Sequence, residues 1–140
     1  MSRKLNIVAD VELLERFERV VRQDGRYPPE AFDFLHRGLE LATCLRHGEQ
    51  PAGRGRHVTG QELCAALRTL ALQQWGRLAP TVLRRWNIRR TRDFGEMVYL
   101  MIDLGMMGKQ DSDDISDFDD VYDLDAALGQ YEIQPSAADT

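Results

Sequence analysis

The chain has 140 residues, 43% of them apolar and 29% charged, with a formal net charge of −5. That length suits one domain burying about two thirds of its unfolded surface, and no apolar run approaches the roughly 18 residues of a membrane span. The first residues are basic but precede no apolar stretch or cleavage site, and two cysteines make no disulfide framework, so a reduced, cytoplasmic protein is expected.

The net charge conceals a division. Residues 1–110 hold 18 basic and 13 acidic side chains, a net +5, whereas residues 111–140 hold 10 acidic and no basic ones, a net −10. A polar field of this kind speaks to partners, not to fold. Sixteen of the 18 basic residues are Arg, a planar cation suited to bidentate contacts with carboxylate or phosphate. A GC-rich genome produces the same bias and is the simpler cause.

Taken in chain order, a first helix is expected over Val11–Arg22. Asp10 is placed to cap it, and Leu13, Leu14, Phe17, Val20 and Val21 share one face. The other face carries Glu12/Arg16, Glu15/Arg19 and Glu18/Arg22, acid four residues before base, worth about 0.2–0.5 kcal/mol per pair. Asp24 and Gly25 end it. Pro29 at the first helical position and Glu30 near the positive end of the dipole then open a second helix. Its apolar face is Phe32, Phe34, Leu35, Leu39, Ala42 and Leu45.

Gly48–Arg56, rich in Gly, Pro and Arg, reads as a loop. Thr59 with Glu62 forms a capping box for a third helix, with Leu63, Leu67, Leu70 and Ala71 buried and Trp75 and Gly76 closing it. A short helix follows with Val82, Leu83 and Trp86 inward. Asn87 suits a left-handed turn, and Ile88 plugs it. Thr91 is placed to cap a further helix, whose Phe94, Met97, Val98, Met101 and Ile102 fall on one face, and Gly105 stops it. Met106–Met107 and Val121–Leu124 are each short enough to be strands joined by an acidic loop at 111–120. Asp125–Leu128 opens a last helical turn, and 130–140 is a flexible tail.

The fold class expected is therefore mainly α, five or six helices with a small C-terminal β-hairpin, as one domain over residues 1–129. The stretch Leu78–Leu124 resembles a winged helix-turn-helix, in which a support helix, a tight turn and a recognition helix precede a strand–loop–strand wing. The same unit also serves protein docking. In a DNA-binding reading Arg84, Arg85, Arg89, Arg90 and Arg92 meet phosphates, and Arg92, Glu96 and Tyr99 face base edges. The wing, however, carries Asp111, Asp113, Asp114 and Asp117, which oppose phosphate and forfeit the counterion-release contribution. Pairing of these acids with the arginines, or protein docking, is the preferred reading.

Other constellations are weaker. Arg54 to Arg56 would suit a narrow minor groove, but an exposed loop is the commoner meaning. Cys44, His47, His57 and Cys64 are zinc-ligand types, yet Cys64 sits beside the buried Leu63 and Leu67, where free Cys behaves as a small hydrophobe. The aspartates fail the EF-hand pattern from Asp111 or from Asp113, lacking the sixth-position Gly. No Walker sequence, dinucleotide fingerprint or nucleophile–base pair is present, so neither an enzyme nor a cofactor is expected.

Four segments together carry a family resemblance: Tyr27–Phe32, Arg56–Leu63, Trp86–Ile88 and Thr91–Glu96. They resemble a family of short bacterial proteins from the planctomycete–verrucomicrobia group. The likeness spans roughly Leu13 to Leu128 and extends to Asp117, Phe118 and Val121–Asp123. Asn87 stands where that family carries Gly, in keeping with a left-handed turn. The resemblance implies one complete domain and no activity, so it assigns no functional residue. The reading is a non-enzymatic regulatory or adaptor domain that binds another protein or its own copy through the Arg84–Arg92 surface and the acidic loop. A DNA-binding regulator is the alternative and a zinc protein or enzyme the second alternative, with no membrane or small-molecule partner evident.

Overall fold

The computed structural model describes residues 3–47, 58–108 and 113–129, the side chains of 3–10 and of residue 47 excepted. The Gly48–Arg56 loop, His57, Asp111 and the tail at 130–140 lie outside them. The elements are α1 (Arg3–Asp24), α2 (Pro29–His47), α3 (Gly60–Trp75), α4 (Ala79–Arg85), α5 (Thr91–Asp103) and α6 (Leu124–Gly129), with 3₁₀ turns at Gly76–Leu78 and Ile115–Phe118.

Local signals set most boundaries. At α3 the Thr59 hydroxyl accepts the Glu62 amide at 3.0 Å, and the Glu62 carboxylate accepts the Thr59 amide at 2.8 Å. Arg46 binds that carboxylate at 2.6 Å, and first this bond, then the Thr59 amide, holds Glu62 below the usual carboxylate range. Helices α4 and α5 both stop on Schellman turns. Ile88 and Asn87 amides bond the Leu83 and Arg84 carbonyls, both at 2.9 Å, with Asn87 at φ 65°. Met106 and Gly105 amides bond Met101 and Ile102 carbonyls, again at 2.9 Å, with Gly105 at φ 82°. Ile88 is fully buried, as its plugging position requires.

Two details at helix starts differ from expectation. Helix α1 begins at Arg3, so Asp10 lies within it and not at its start. On its apolar face Val21 is buried and Phe17 packs edge-on to Phe32 at 5.3 Å, but Leu14 is 52% exposed. At α5 the cap comes from Asp93, whose carboxylate accepts the Arg89 and Arg90 amides at 2.8 and 3.0 Å. Thr91 is the first helical residue and is spent elsewhere.

The core lies between α2, α3 and α5. Phe34 forms its aromatic centre, with ring centroids 5.1 Å from Trp75, 5.8 Å from Trp86 and 6.5 Å from Phe94. Helix α2 approaches α3 closely because Gly38 has no side chain; a β-carbon there would stand 2.1 Å from Leu67 Cδ2. Leu45, expected on the α2 core face, is 70% exposed instead. It lies in the last turn of α2, past Ala42, the final buried position of that face.

The expected β-hairpin is absent: no strand occurs among the described residues. Met106 and Met107 follow the α5 stop as bent chain, Val121 and Tyr122 form a bend, and Leu124 already belongs to α6. The winged layout fails with it. The Val121 amide, which a ladder would need, is taken by the Thr91 hydroxyl at 3.1 Å, and aspartates stabilise local turns on either side of the expected second strand. Asp114 accepts the Ser116 amide at 2.9 Å, Asp117 accepts the Asp114 amide at 3.2 Å, and Asp123 accepts the Ala126 amide at 3.0 Å. Phe118, Leu124 and Leu128 are buried and anchor the segment to the helices.

Candidate functional site

The arginine cluster is presented by a turn held from three sides. Asp93 caps α5 through two amides and also accepts the Tyr27 hydroxyl at 2.6 Å. Burial first, then that bond, pushes the Tyr27 phenol well above its ordinary value, so it stays a donor. Asn87 Nδ2 donates to the Arg26 carbonyl at 3.1 Å, and the Arg26 guanidinium joins Asp24 and Glu96 at 3.1 and 3.3 Å. The Asp24–Tyr27 loop thereby clamps the α4–α5 turn. From this fixed base Arg85, Arg89 and Arg90 are exposed, and among the described residues none of them is in an ion pair.

The other two arginines are occupied by the chain's own acidic segment. Arg92 meets both Asp119 oxygens at 2.9 and 3.1 Å and also Glu96 at 3.3 Å; these bonds, Asp119 first, raise its pKa further. Arg84 meets Asp125 at 2.8 Å with both side chains largely exposed. Acids and arginines were thus expected to pair, and pairs form, but through Asp119 and Asp125. Of the acids singled out, Asp114 and Asp117 cap the 3₁₀ turn instead. They lie with Asp113 around the Tyr99 phenol, which burial and these three charges hold above its ordinary value. The Tyr99 hydroxyl is itself buried, with no hydrogen-bond partner among the described residues. Of the residues assigned to base edges, Arg92 and Glu96 are therefore held in ion pairs within the molecule, and the Tyr99 hydroxyl is buried.

The segment that supplies these acids is anchored by more than charge. Thr91, 1% exposed, donates its hydroxyl to the Phe118 carbonyl at 2.6 Å and accepts the Val121 amide at 3.1 Å. Tyr122 donates its hydroxyl to the Cys64 carbonyl at 2.7 Å. Phe118 packs on Gly95 and Gly60, which leave room for its ring. No sequence signal assigned Thr91 this role, because a Thr before an apolar helix reads first as a cap.

The zinc-type residues divide. Cys64 is fully buried, and desolvation pushes its thiol up to about 12, so it offers no thiolate at neutral pH. Cys44 is exposed on α2. Among the described residues no three His, Cys, Asp or Glu side chains converge as a metal site requires; His57 and the His47 side chain fall outside them. No helix of the described residues is long and apolar enough to cross a membrane.

Two concavities flank the arginines. Pro80, Leu83, Arg84, Ile88, Arg89, Leu124 and Asp125 line a cleft of about 90 Å³ between α4 and α6. That is well below the roughly 300–1,000 Å³ of small-molecule pockets. The other, about 370 Å³, is open and lined by Arg90, Arg92, Asp119 and Asp120, charges of both signs with no apolar wall. No family model, curated protein or solved structure matches the chain.

Proposed function

We propose that this is a cytoplasmic, non-enzymatic regulatory or adaptor domain that docks a carboxylate-bearing segment of another protein or of a second copy. The contact surface is Arg85, Arg89 and Arg90 on the α4–α5 turn. One observation carries the reading. Of five clustered arginines, two hold aspartates of the same chain, while three stand exposed and, among the described residues, out of any ion pair, on a turn clamped at Asp93 and Asn87. Arginine forks on a pre-set frame lose little freedom on binding carboxylate, which favours specific docking.

Nucleic acid would use the same cations but must approach Asp119, Asp120 and Asp125 beside them, which repel phosphate. The test is fluorescence anisotropy with an Asp/Glu-rich peptide and with duplex DNA at low and moderate salt. The peptide is expected to bind, weakening with salt, and the triple change Arg85→Glu, Arg89→Glu, Arg90→Glu to abolish it. No peptide binding at low salt would end the reading, and tighter binding of DNA would hand the surface to nucleic acid.

A further inference from the structure

The geometry points to a two-part ligand for this surface: we infer that the α4–α6 cleft receives one aliphatic side chain from the docking segment, with its neighbouring carboxylate on Arg89. This rests on the docking function proposed above and names the partner's chemistry more closely.

Apolar residues underlie the cleft, and the half-buried Pro80 is the accessible one among them. Leu83, Ile88 and Leu124 are 2%, 0% and 5% exposed, and Pro80 adjoins them. Its rim is charged, with Arg84 and Asp125 on one side and Arg89 also lining it. A cavity of about 150 Å³ accepts benzene, so about 90 Å³ is too small for an aromatic ring and suits a branched aliphatic group. Nucleotides and sugars have no such group beside a carboxylate, whereas an acidic peptide does.

The chain already displays the interaction once. Leu124 contributes its side chain to the α4 face, and the next residue, Asp125, places a carboxylate on Arg84 at 2.8 Å. Helix α4 and its turn thus hold an aliphatic–acid pair on one edge. Arg89, which also lines the cleft, reaches only Asn87 Oδ1 with its side chain, at 3.4 Å, and is in no ion pair among the described residues. An aliphatic–acid pair from a partner would repeat the Leu124–Asp125 arrangement there, filling the cleft and neutralising Arg89.

The test compares two short acidic peptides, identical except for a central leucine or serine, by fluorescence anisotropy against the full chain. The leucine peptide is expected to bind about tenfold more tightly, the effect of burying part of one aliphatic side chain. Asp125→Asn, on the exposed rim, removes a repelling charge and leaves Arg84 available, and about threefold tighter binding of the leucine peptide is expected. Equal affinity of the two peptides would overturn the cleft assignment while leaving arginine docking intact. Binding of neither would remove both. An Asp125→Asn effect that is absent or reversed places the peptide elsewhere and also overturns the assignment; this arm does not depend on altering any buried residue.

Discussion

At Gly95 a β-carbon would stand 2.8 Å from Cγ and Cδ2 of Phe118 and 2.9 Å from its Cβ. Two effects oppose each other in Gly95→Ala. Helix propensity gains about 1 kcal/mol, and overpacking costs about 1–3 kcal/mol because the Phe118 Cβ, close to the backbone, cannot swing aside. Overpacking is expected to win, lowering the thermal midpoint followed by circular dichroism; a rise would show that the ring relocates freely. Gly38 is the comparable case between α2 and α3, where a β-carbon would meet the end of the buried Leu67 side chain. Glycines inside helices read in sequence as propensity losses, and only the packed structure reveals which large side chain each one admits.

At the level of elements, the acidic segment 113–129 belongs to the core and is no ornament on it. Phe118, Leu124 and Leu128 are buried, each worth about 1.5–3 kcal/mol, whereas an exposed pair such as Arg84–Asp125 contributes about 0–1 kcal/mol. Thr91→Val keeps the shape but orphans the Phe118 carbonyl and the Val121 amide, at about 1–3 kcal/mol. Amide hydrogen exchange is expected to quicken across 118–128 in Thr91→Val and to change little in Arg92→Ala. The reverse order would mean that ion pairing holds the segment. The helices were legible because caps and 3.6-residue periodicity act locally: the Thr59–Glu62 box, the Asn87 turn and the Gly105 stop all stand where the residues place them. The hairpin was misread because Met106–Met107 and Val121–Leu124 have strand-like composition. What competes with pairing there, the Thr91 hydroxyl of α5 on the Val121 amide, comes from distant sequence. Of the site, the arginines were legible from their clustering, but not which acids meet them: Asp119 and Asp125 are placed by the burial of Phe118 and Leu124.

Across the whole molecule, three well-buried acidic groups are kept protonated by their surroundings, in addition to the Tyr99 phenol. Burial pushes the Cys64 thiol up to about 12 and, as the largest cause, lifts the Tyr27 and Tyr122 phenols well above their ordinary value. As pH rises past about 8.5 for an unfolded thiol and about 10 for an unfolded phenol, the unfolded chain releases protons the folded chain retains. Stability therefore falls with rising pH, by up to about 1.4 kcal/mol per unit for each group. A thermal midpoint that declines steadily from pH 9 to 11 is expected, and a flat profile would contradict this. Arginine provides 16 of the 18 cations and stays charged throughout, so loss of positive charge explains little of such a decline.

The sharp change of sign near residue 110 invites a domain boundary there, yet the apolar anchors cross it. A polypeptide ended at that point would not be a cleaner, more cationic version of the same domain. It would lose the lid over Gly60, Gly95 and Thr91, wet the facing sides of α3 and α5, and leave Arg84 and Arg92 without Asp125 and Asp119. Insolubility of such a fragment, or indiscriminate adhesion to polyanions, would then report a damaged interior and say nothing about what the intact surface recognises.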